Sequence, residues 1–117
     1  MSKAKRAGTA FETALVNYAQ DWGWMGAQRL VQHGAQDIGD IELAPGIIIE
    51  AKATRSIDLA GAVDEAEVEA NNYAEDRGMD LQDVIAVTVI KRRNHSIPEA
   101  YAVVPYDLML NLLEAQR

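Results

Sequence analysis

The 117 residues suffice for one compact domain, and a composition of 49% hydrophobic and 25% charged residues is typical of a globular rather than a disordered chain. The absence of cysteine excludes disulfides and thiolate metal sites. No stretch approaches the roughly 20 apolar residues of a membrane span, and the basic N-terminus lacks the apolar segment of a signal peptide. We therefore expect a cytoplasmic protein without a membrane partner.

The net charge of -7 argues against a nucleic-acid partner, but the charge is unevenly distributed. Residues 58–83 hold nine acids and one base, so the rest of the chain is close to neutral. Its bases form three clusters: Lys3, Lys5 and Arg6; Lys52 and Arg55; Lys91, Arg92 and Arg93. Such clusters suit phosphate contacts, and an ordinary solvated surface is an equally open interpretation.

The first half of the chain predicts a helix followed by three strands. Thr9 and Glu12 have capping-box spacing, which predicts a helix over 9–22 and leaves 1–8 as a mobile basic arm. The predicted buried stripe of this helix is Phe11, Leu15, Tyr18 and Trp22. Strands are predicted over 27–32, 40–43 and 46–53, and the Pro45-Gly46 turn makes the last two a hairpin.

The second half predicts a helix, two strands and a terminal helix. Asp58 has the character of an N-cap and Gly78 that of a C-terminal cap, which bounds a long acidic helix. Strands are predicted over 83–91 and, after Pro98, over 99–104, before a helix that begins near Pro105. The order αβββαββα predicts an α/β fold with a mixed sheet flanked by helices.

In the stretch "DIGDIELAPGIIIEAK" (37–52), charged residues lie where the first strand of the predicted hairpin starts and where the second one ends. Glu50 and Lys52 share one face of their strand, and pairing across the turn places Asp40 opposite Ala51, beside both. A partly exposed salt bridge of Lys52 with either acid is one interpretation. The other is a hard divalent cation such as Mg²⁺, held by these carboxylates and the Ala51 main-chain carbonyl.

The motif "GDIELAPGIIIEAK" places an Asp at the start of one strand and E-x-K on the next, and it resembles the core motif of the PD-(D/E)xK nucleases. The longer pattern "QDIGDIELAPGIIIEAKATRSIDLAGAVDEAEVEANN", with "VIKRR" after it, resembles the small phage and archaeal-type Holliday junction resolvases. The resemblance covers roughly 8–113. It implies a single nuclease domain over 1–117 with a restriction-endonuclease-like core, and a homodimer that cuts four-way DNA junctions with Mg²⁺ or Mn²⁺.

The resemblance also implies roles for individual residues. Asp40 and Glu50 match the metal-binding acids, and Lys52 matches the catalytic lysine, which would position or deprotonate water. Glu12 matches an acid that many members place beside the metal, and its capping role is equally open.

Other acids near the motif have less definite roles. Asp37 falls in a loop, where turn formation is the default expectation. Many members have a polar residue, often Gln, on the helix after E-x-K. This chain has no glutamine there, and Glu65, Glu67 and Glu69 all fall near that level.

Basic residues are predicted to contact DNA phosphates, which give affinity without sequence readout. They are Lys3, Lys5, Arg6, Arg55, Lys91, Arg92 and Arg93. His33 and His95 lack metal-ligand spacing and are expected to be loop or surface residues. The alternatives are another replication or repair nuclease of this superfamily, a non-catalytic nucleic-acid-binding module on the same fold, and an acidic interaction domain.

Overall fold

The computed structural model describes residues 3–31 and 36–117. These residues form an α/β fold of five strands in one mixed sheet and three α-helices. The elements are α1 (Lys3–Trp22), β1 (Gln28–Arg29), β2 (Ile41–Ala44), β3 (Ile47–Lys52), α2 (Leu59–Arg77), β4 (Ile85–Ile90), β5 (Tyr101–Val103) and α3 (Tyr106–Leu113), with 3-10 turns at Leu81–Asp83, Ile97–Glu99 and Glu114–Gln116. The α/β prediction and the mixed sheet are confirmed. Within the described ranges, no helix combines the length and apolar content needed to cross a bilayer.

Helix α1 begins at Lys3, six residues before the predicted start. Lysine, alanine and arginine have high helix propensity, so the basic segment extends the helix instead of forming a separate arm. Thr9 and Glu12 lie inside the helix, and the predicted capping box is therefore wrong. The predicted stripe is also partly wrong, because Val16 is buried as well as Phe11, whereas Trp22 is 70% exposed.

The sheet has the order β1-β2-β3-β4-β5, with β3 at its centre. Strands β2 and β3 are antiparallel, and the pairing shifts by one residue between Glu42 and Ala44. Beyond this bulge Ile41 pairs with Ile49, so continuing the register puts Asp40 level with Glu50 rather than with Ala51. Strands β3 and β4 are parallel, as the helical crossover between them predicts. Strand β1 is shorter than its predicted range of 27–32.

Helix α2 has the predicted caps at both ends. The side chain of Asp58 accepts a hydrogen bond from the Gly61 amide at 3.1 Å, and Gly78 adopts a left-handed conformation with φ of 64°. The buried side of α2 is built of small residues, Ala62, Ala66, Ala70 and Ala74, together with Tyr73 and Glu69. The small side chains allow the helix to lie close to the sheet, which brings its acidic residues over the end of β3.

The two faces of the sheet bury different residues of β3. Ile49 packs on the side of α1, with Val16 and Ile41. Ile48 packs on the side of α2, with Tyr73. Because strand side chains alternate, Glu50 and Lys52 share the α2 face with Ile48, as the sequence predicts.

A buried polar network joins α2 to the hairpin. The Tyr73 hydroxyl donates to the Glu42 carboxylate and accepts a hydrogen bond from the Gly46 amide at 3.0 Å. Gln28 Nε2 donates to the other Glu42 oxygen at 3.1 Å. Burial, followed by the hydrogen bond to Glu42, raises the pKa of Tyr73. The network fixes α2 against the turn, one helical turn beyond Glu69.

Helix α3 contributes no buried residue. Its apolar side chains Met109, Leu110, Leu112 and Leu113 are exposed, together with Tyr106. An apolar helix surface of this kind is a candidate for a protein interface.

Candidate active site and metal centre

Lys52 joins the acid of its own strand to an acid of α2. Its ammonium nitrogen lies 3.2 Å from Glu50 Oε1 and 2.7 Å from Glu65 Oε2. Glu50 is 5% exposed, whereas Glu65 is exposed at the helix surface. Burial alone would lower the pKa of Lys52, but the hydrogen bonds and charges of Glu65 and Glu50 raise it above its ordinary value. The salt bridge expected between Lys52 and Glu50 is therefore present, with Glu65 as a further partner.

Asp40 immediately precedes β2 and lies beside the C-terminal end of β3. Its Oδ2 accepts a hydrogen bond from the Ala51 amide at 2.8 Å. The N–H and C=O of a strand residue point to the same side, so the Ala51 carbonyl also faces the Asp40 edge. Burial, followed by the charge of Glu50, raises the pKa of Asp40 to about 7.

Glu69 is the most deeply buried acid described, with an exposed fraction of 1%. Burial, followed by its interactions with Glu50, raises its pKa to about 11. With both acids ionised, neither Glu69 oxygen nor Glu50 Oε2 has a hydrogen-bond partner among the described residues, and a proton on Glu69 allows a hydrogen bond to Glu50. Buried carboxylate oxygens normally have a donor, a proton or a cation, so these atoms are expected to share a proton or to contact a cation.

Four of the described acids converge at this point. Asp37, Glu50, Glu65 and Glu69 each offer an oxygen, and these oxygens lie within 4.8 Å of one another. This acidic group could bind a metal ion. Asp40 is not a member of the group, although its pKa responds to the charges of Glu50 and Asp37.

The loop that carries Asp37 is anchored at two places. Asp37 Oδ1 accepts a hydrogen bond from the Gly39 amide at 2.9 Å, which is the turn role predicted from the sequence. Its carbonyl oxygen accepts from Asn72 Nδ2 at 2.8 Å, which ties the loop to α2. Asp37 thus combines turn formation with membership of the acidic group.

A cleft of 760 Å³ opens beside these acids and is bounded by α1, β1 and the 37–40 loop. Glu12 lines the cleft together with Asp40 and Glu50, so the structure brings all three predicted acids to one place. Arg29 also lines it, with its Nε 3.4 Å from Glu12 Oε1. The sequence analysis missed Arg29, because a lone arginine in a two-residue strand carries no spacing signal.

The predicted DNA-contacting residues lie in separate places. Lys5 lines the cleft, and Lys3 and Arg6 are exposed on the same helix. Lys91 directly follows β4, and its amide donates to the Lys52 carbonyl at 2.9 Å. Lys91 therefore lies at the same end of the sheet as the acids.

The remaining predicted bases lie in the segments that follow β3 and β4. Arg92 places its guanidinium over the Tyr101 ring, 5.4 Å from the centroid. Arg55 and Arg93 are exposed. Nδ1 of His95 pairs with Glu99 at the surface, and His33 lies outside the described residues.

Comparison with known proteins gave no match to any family model, to any curated protein or to any solved structure. Function is therefore inferred from the chemistry of the site and from the sequence motif. Both concern the same end of the sheet, where β3 carries Glu50 and Lys52.

Proposed function

We propose that this chain is a divalent-metal-dependent endonuclease, with a restriction-endonuclease-like core, that cuts four-way DNA junctions. The observation that carries the proposal is the unpartnered, buried Glu50 oxygen beside Lys52 at the end of the central strand. A purely structural salt bridge would satisfy both partners, whereas this one leaves Glu50 Oε2 with no partner other than a proton on Glu69.

The donor atoms favour a hard cation. All of them are oxygens, from Asp40, Glu50 and the Ala51 carbonyl, with Glu12 across the cleft. Mg²⁺ and Mn²⁺ prefer such ligands, and Mg²⁺ usually keeps water molecules and takes further oxygens from a phosphate. The chemistry of these donor atoms therefore fits the metal that the motif implies, and the acidic group of Asp37, Glu50, Glu65 and Glu69 adds further oxygens beside them.

A bound divalent cation would supply charge stabilisation for phosphodiester hydrolysis. Lys52 is placed to act on the same phosphate. Its ammonium has three N–H donors, two of which are directed to Glu50 and Glu65. The third can donate to a water or to a phosphate oxygen, which orients the nucleophile and stabilises developing negative charge.

Bases beside the acids of the cleft favour a polyanionic substrate, provided that a bound cation offsets the acids, which outnumber the bases in the cleft lining. Lys5 and Arg29 line it, and Lys91 follows the end of the sheet beside Lys52. These bases can hold phosphates on either side of the cleaved one, together with Arg55, Arg92, Arg93, Lys3 and Arg6. Contacts of this kind recognise the shape of DNA rather than its sequence.

A homodimer is part of the proposal, since paired cuts across a junction need two active sites related by symmetry. The exposed apolar residues of α3, among them Met109 and Leu112, are candidates for the contact. Light scattering of the purified protein tests this directly. A mass of one chain at micromolar concentration, with and without junction DNA, would contradict the dimer.

The activity is tested with three substrates of matched sequence: a mobile four-way junction, a linear duplex and a single strand, each in Mg²⁺ or in EDTA. Paired nicks on the junction alone, and only with Mg²⁺, are the expected result. Cleavage of all three substrates would indicate a general nuclease. Binding without cleavage in Mg²⁺ and in Mn²⁺ would leave a non-catalytic DNA-binding module as the better description.

A further inference from the structure

We propose that the groove between α2 and α3 binds a basic amphipathic helix of a partner protein, with apolar side chains on the floor of the groove and Lys or Arg side chains at its acidic rim. The groove has a volume of 420 Å³ and lies over the beginning of β4. The inference goes beyond the proposed nuclease activity, because none of the residues that line this groove lines the cleft or belongs to the sequence motif.

The floor of the groove is apolar. Val84 and Ala86 are two residues apart and both pack on the α2 side of the sheet, where Ala70 meets them. Leu108 closes the side of α3, and Leu81, which is 47% exposed, stands at the edge. The small side chains at positions 70 and 86 leave space that apolar side chains of a partner can fill, which removes their surface from water.

The rim of the groove is acidic. Glu67 of α2 and Asp107 of α3 are both exposed, and none of the described residues that line the groove is basic. Neither carboxylate forms an ion pair with a base among the described residues. Exposed Asp64 and Glu75 extend the acidic edge of α2 in both directions. Such a rim repels DNA phosphates and attracts a basic partner.

The groove and the metal centre lie on different sides of α2. Glu67 is two residues from both Glu65 and Glu69, so its side chain points away from the side of the helix that carries those two acids. On the sheet, Ala86 lies four residues before Ile90, which is level with the end of β3, and this spacing corresponds to about 13 Å. A partner in the groove therefore leaves the cleft open.

A second copy of this chain suits the groove less well than a different protein. The basic residues of the chain lie at the start of α1 and after β4, where Lys5 lines the cleft and Lys91 lies at the same end of the sheet as the acids. A copy that inserted either segment into the groove would cover its own cleft.

The apolar stripe of α3 is also separate from the groove. Tyr106, Met109 and Leu113 are exposed and follow each other at spacings of three and four residues. The 3.6-residue period of the helix puts this stripe on the side opposite to Leu108 and Asn111, which line the groove. A dimer contact through Met109 therefore leaves the groove free for another protein.

A helix is the form of partner that matches these features. Apolar residues at every third or fourth position of a helix form one stripe, which can face the floor, and basic residues beside the stripe can reach the rim on both sides. The side-chain amides of Asn71 and Asn111 also lie at the groove and can form hydrogen bonds with polar groups of the helix.

The test uses nuclear magnetic resonance of the full ¹⁵N-labelled chain and a synthetic helical peptide of about 14 residues, with Leu at helical spacing and Lys on both flanks of the Leu stripe. The amide signals of Ala70, Ala86 and Leu108 are expected to shift on titration. Two matched peptides, one with Glu in place of Lys and one with Ser in place of Leu, are expected to leave these signals unchanged.

Charge reversal at the rim gives the second measurement. Glu67→Lys should weaken binding of the Lys peptide at least about 10-fold and should allow the Glu peptide to bind. The matched control is Asp21→Lys, which makes the same charge change at an exposed position of α1 and should alter the affinity by less than about 2-fold. Melting curves of both variants establish that they are folded.

Three results would overturn the proposal. The first is an equal affinity of Glu67→Lys and Asp21→Lys for the Lys peptide. The second is a set of shifts centred on Glu12 and Glu50, which would place the peptide in the cleft. The third is a shift of the groove amides with protein concentration alone, which would make a second copy the occupant. Junction cleavage is not read in this experiment, so failure of the proposed function would leave its outcome unchanged.

Discussion

Replacing Glu69 with Gln should stabilise the metal-free protein, although Glu69 is buried in the middle of α2. Burial raises the pKa of Glu69 from 4.5 to about 11, so at pH 7 the folded protein retains a proton that the unfolded chain has released. Each pH unit above the unfolded pKa of 4.5 costs the folded state about 1.4 kcal/mol, which gives about 3 kcal/mol at pH 7. Glutamine has the same shape without this cost, and its amide can donate to Glu50 Oε2.

The difference between the two proteins should depend on pH. An acid whose pKa is raised in the folded state leaves stability intact below its unfolded pKa and reduces it as pH rises. The wild type and Glu69→Gln should therefore have the same free energy of unfolding near pH 4.5. From there to pH 8 the wild-type value should fall below that of the variant by about 1.4 kcal/mol per pH unit. At pH 7 the melting temperature of the variant should be higher by up to about 10 °C in a domain of this size.

The assay is urea unfolding at several pH values in EDTA, with Glu67→Gln as the control for a surface charge change. The control should follow the wild type within about 0.5 kcal/mol. If Glu69→Gln were less stable than the wild type at pH 7, with a difference that does not change with pH, then Glu69 would have a satisfied structural role. The account of an unpartnered acid would then be refuted.

Other variants test the network and the site. Tyr73→Phe should cost about 2 kcal/mol in urea unfolding, since it leaves the buried Glu42 carboxylate and the Gly46 amide without their shared partner; an unchanged midpoint would contradict the network. Gly46→Ala should cost about 1–2 kcal/mol, because Gly46 has φ of 88° and a Cβ there would lie 3.1 Å from a carbonyl oxygen; a more stable variant would show that the turn is not strained. Glu50→Gln and Lys52→Ala should each slow junction cleavage about 100-fold or more while junction affinity stays within about 3-fold; normal cleavage by both would refute the site.

The sequence predicted the elements that depend on local signals. The caps of α2 at Asp58 and Gly78 and the turn at Gly46 were all visible as single residues with definite backbone preferences. The common face of Glu50 and Lys52 followed from strand alternation alone. Local rules fix these features, so tertiary contacts did not alter them.

Two errors arose where tertiary contacts decide, and one arose where two local signals, a capping box and helix propensity, compete. The bulge after Glu42 shifts the pairing of Asp40 with β3 by one residue, and nothing in the sequence marks the position of the bulge. The start of α1 was placed at a capping box, although the basic residues before Thr9 continue the helix. Trp22 fits the spacing of a buried stripe, but it is the last residue of α1 and is largely exposed among the described residues.

The role of Glu69 could have been found in part from the sequence. It falls in the stripe of α2 between Ala66, Ala70 and Tyr73, all of which are buried. An acid in such a stripe indicates a buried charge, and a buried charge indicates a partner. The partner itself is Glu50 of β3, which lies 19 residues earlier in the chain. This contact is tertiary, so only the structure could reveal it.

The most direct test of the central claim is single-turnover cleavage of a labelled four-way junction while Mn²⁺ is titrated and bound Mn²⁺ is measured in the same samples. The account predicts that paired nicks appear only as the cleft fills with cation, and that Glu50→Gln shows neither high-affinity binding nor cleavage. Tight Mn²⁺ binding at this cleft with no cleavage of the junction, or equal cleavage in EDTA, would contradict it.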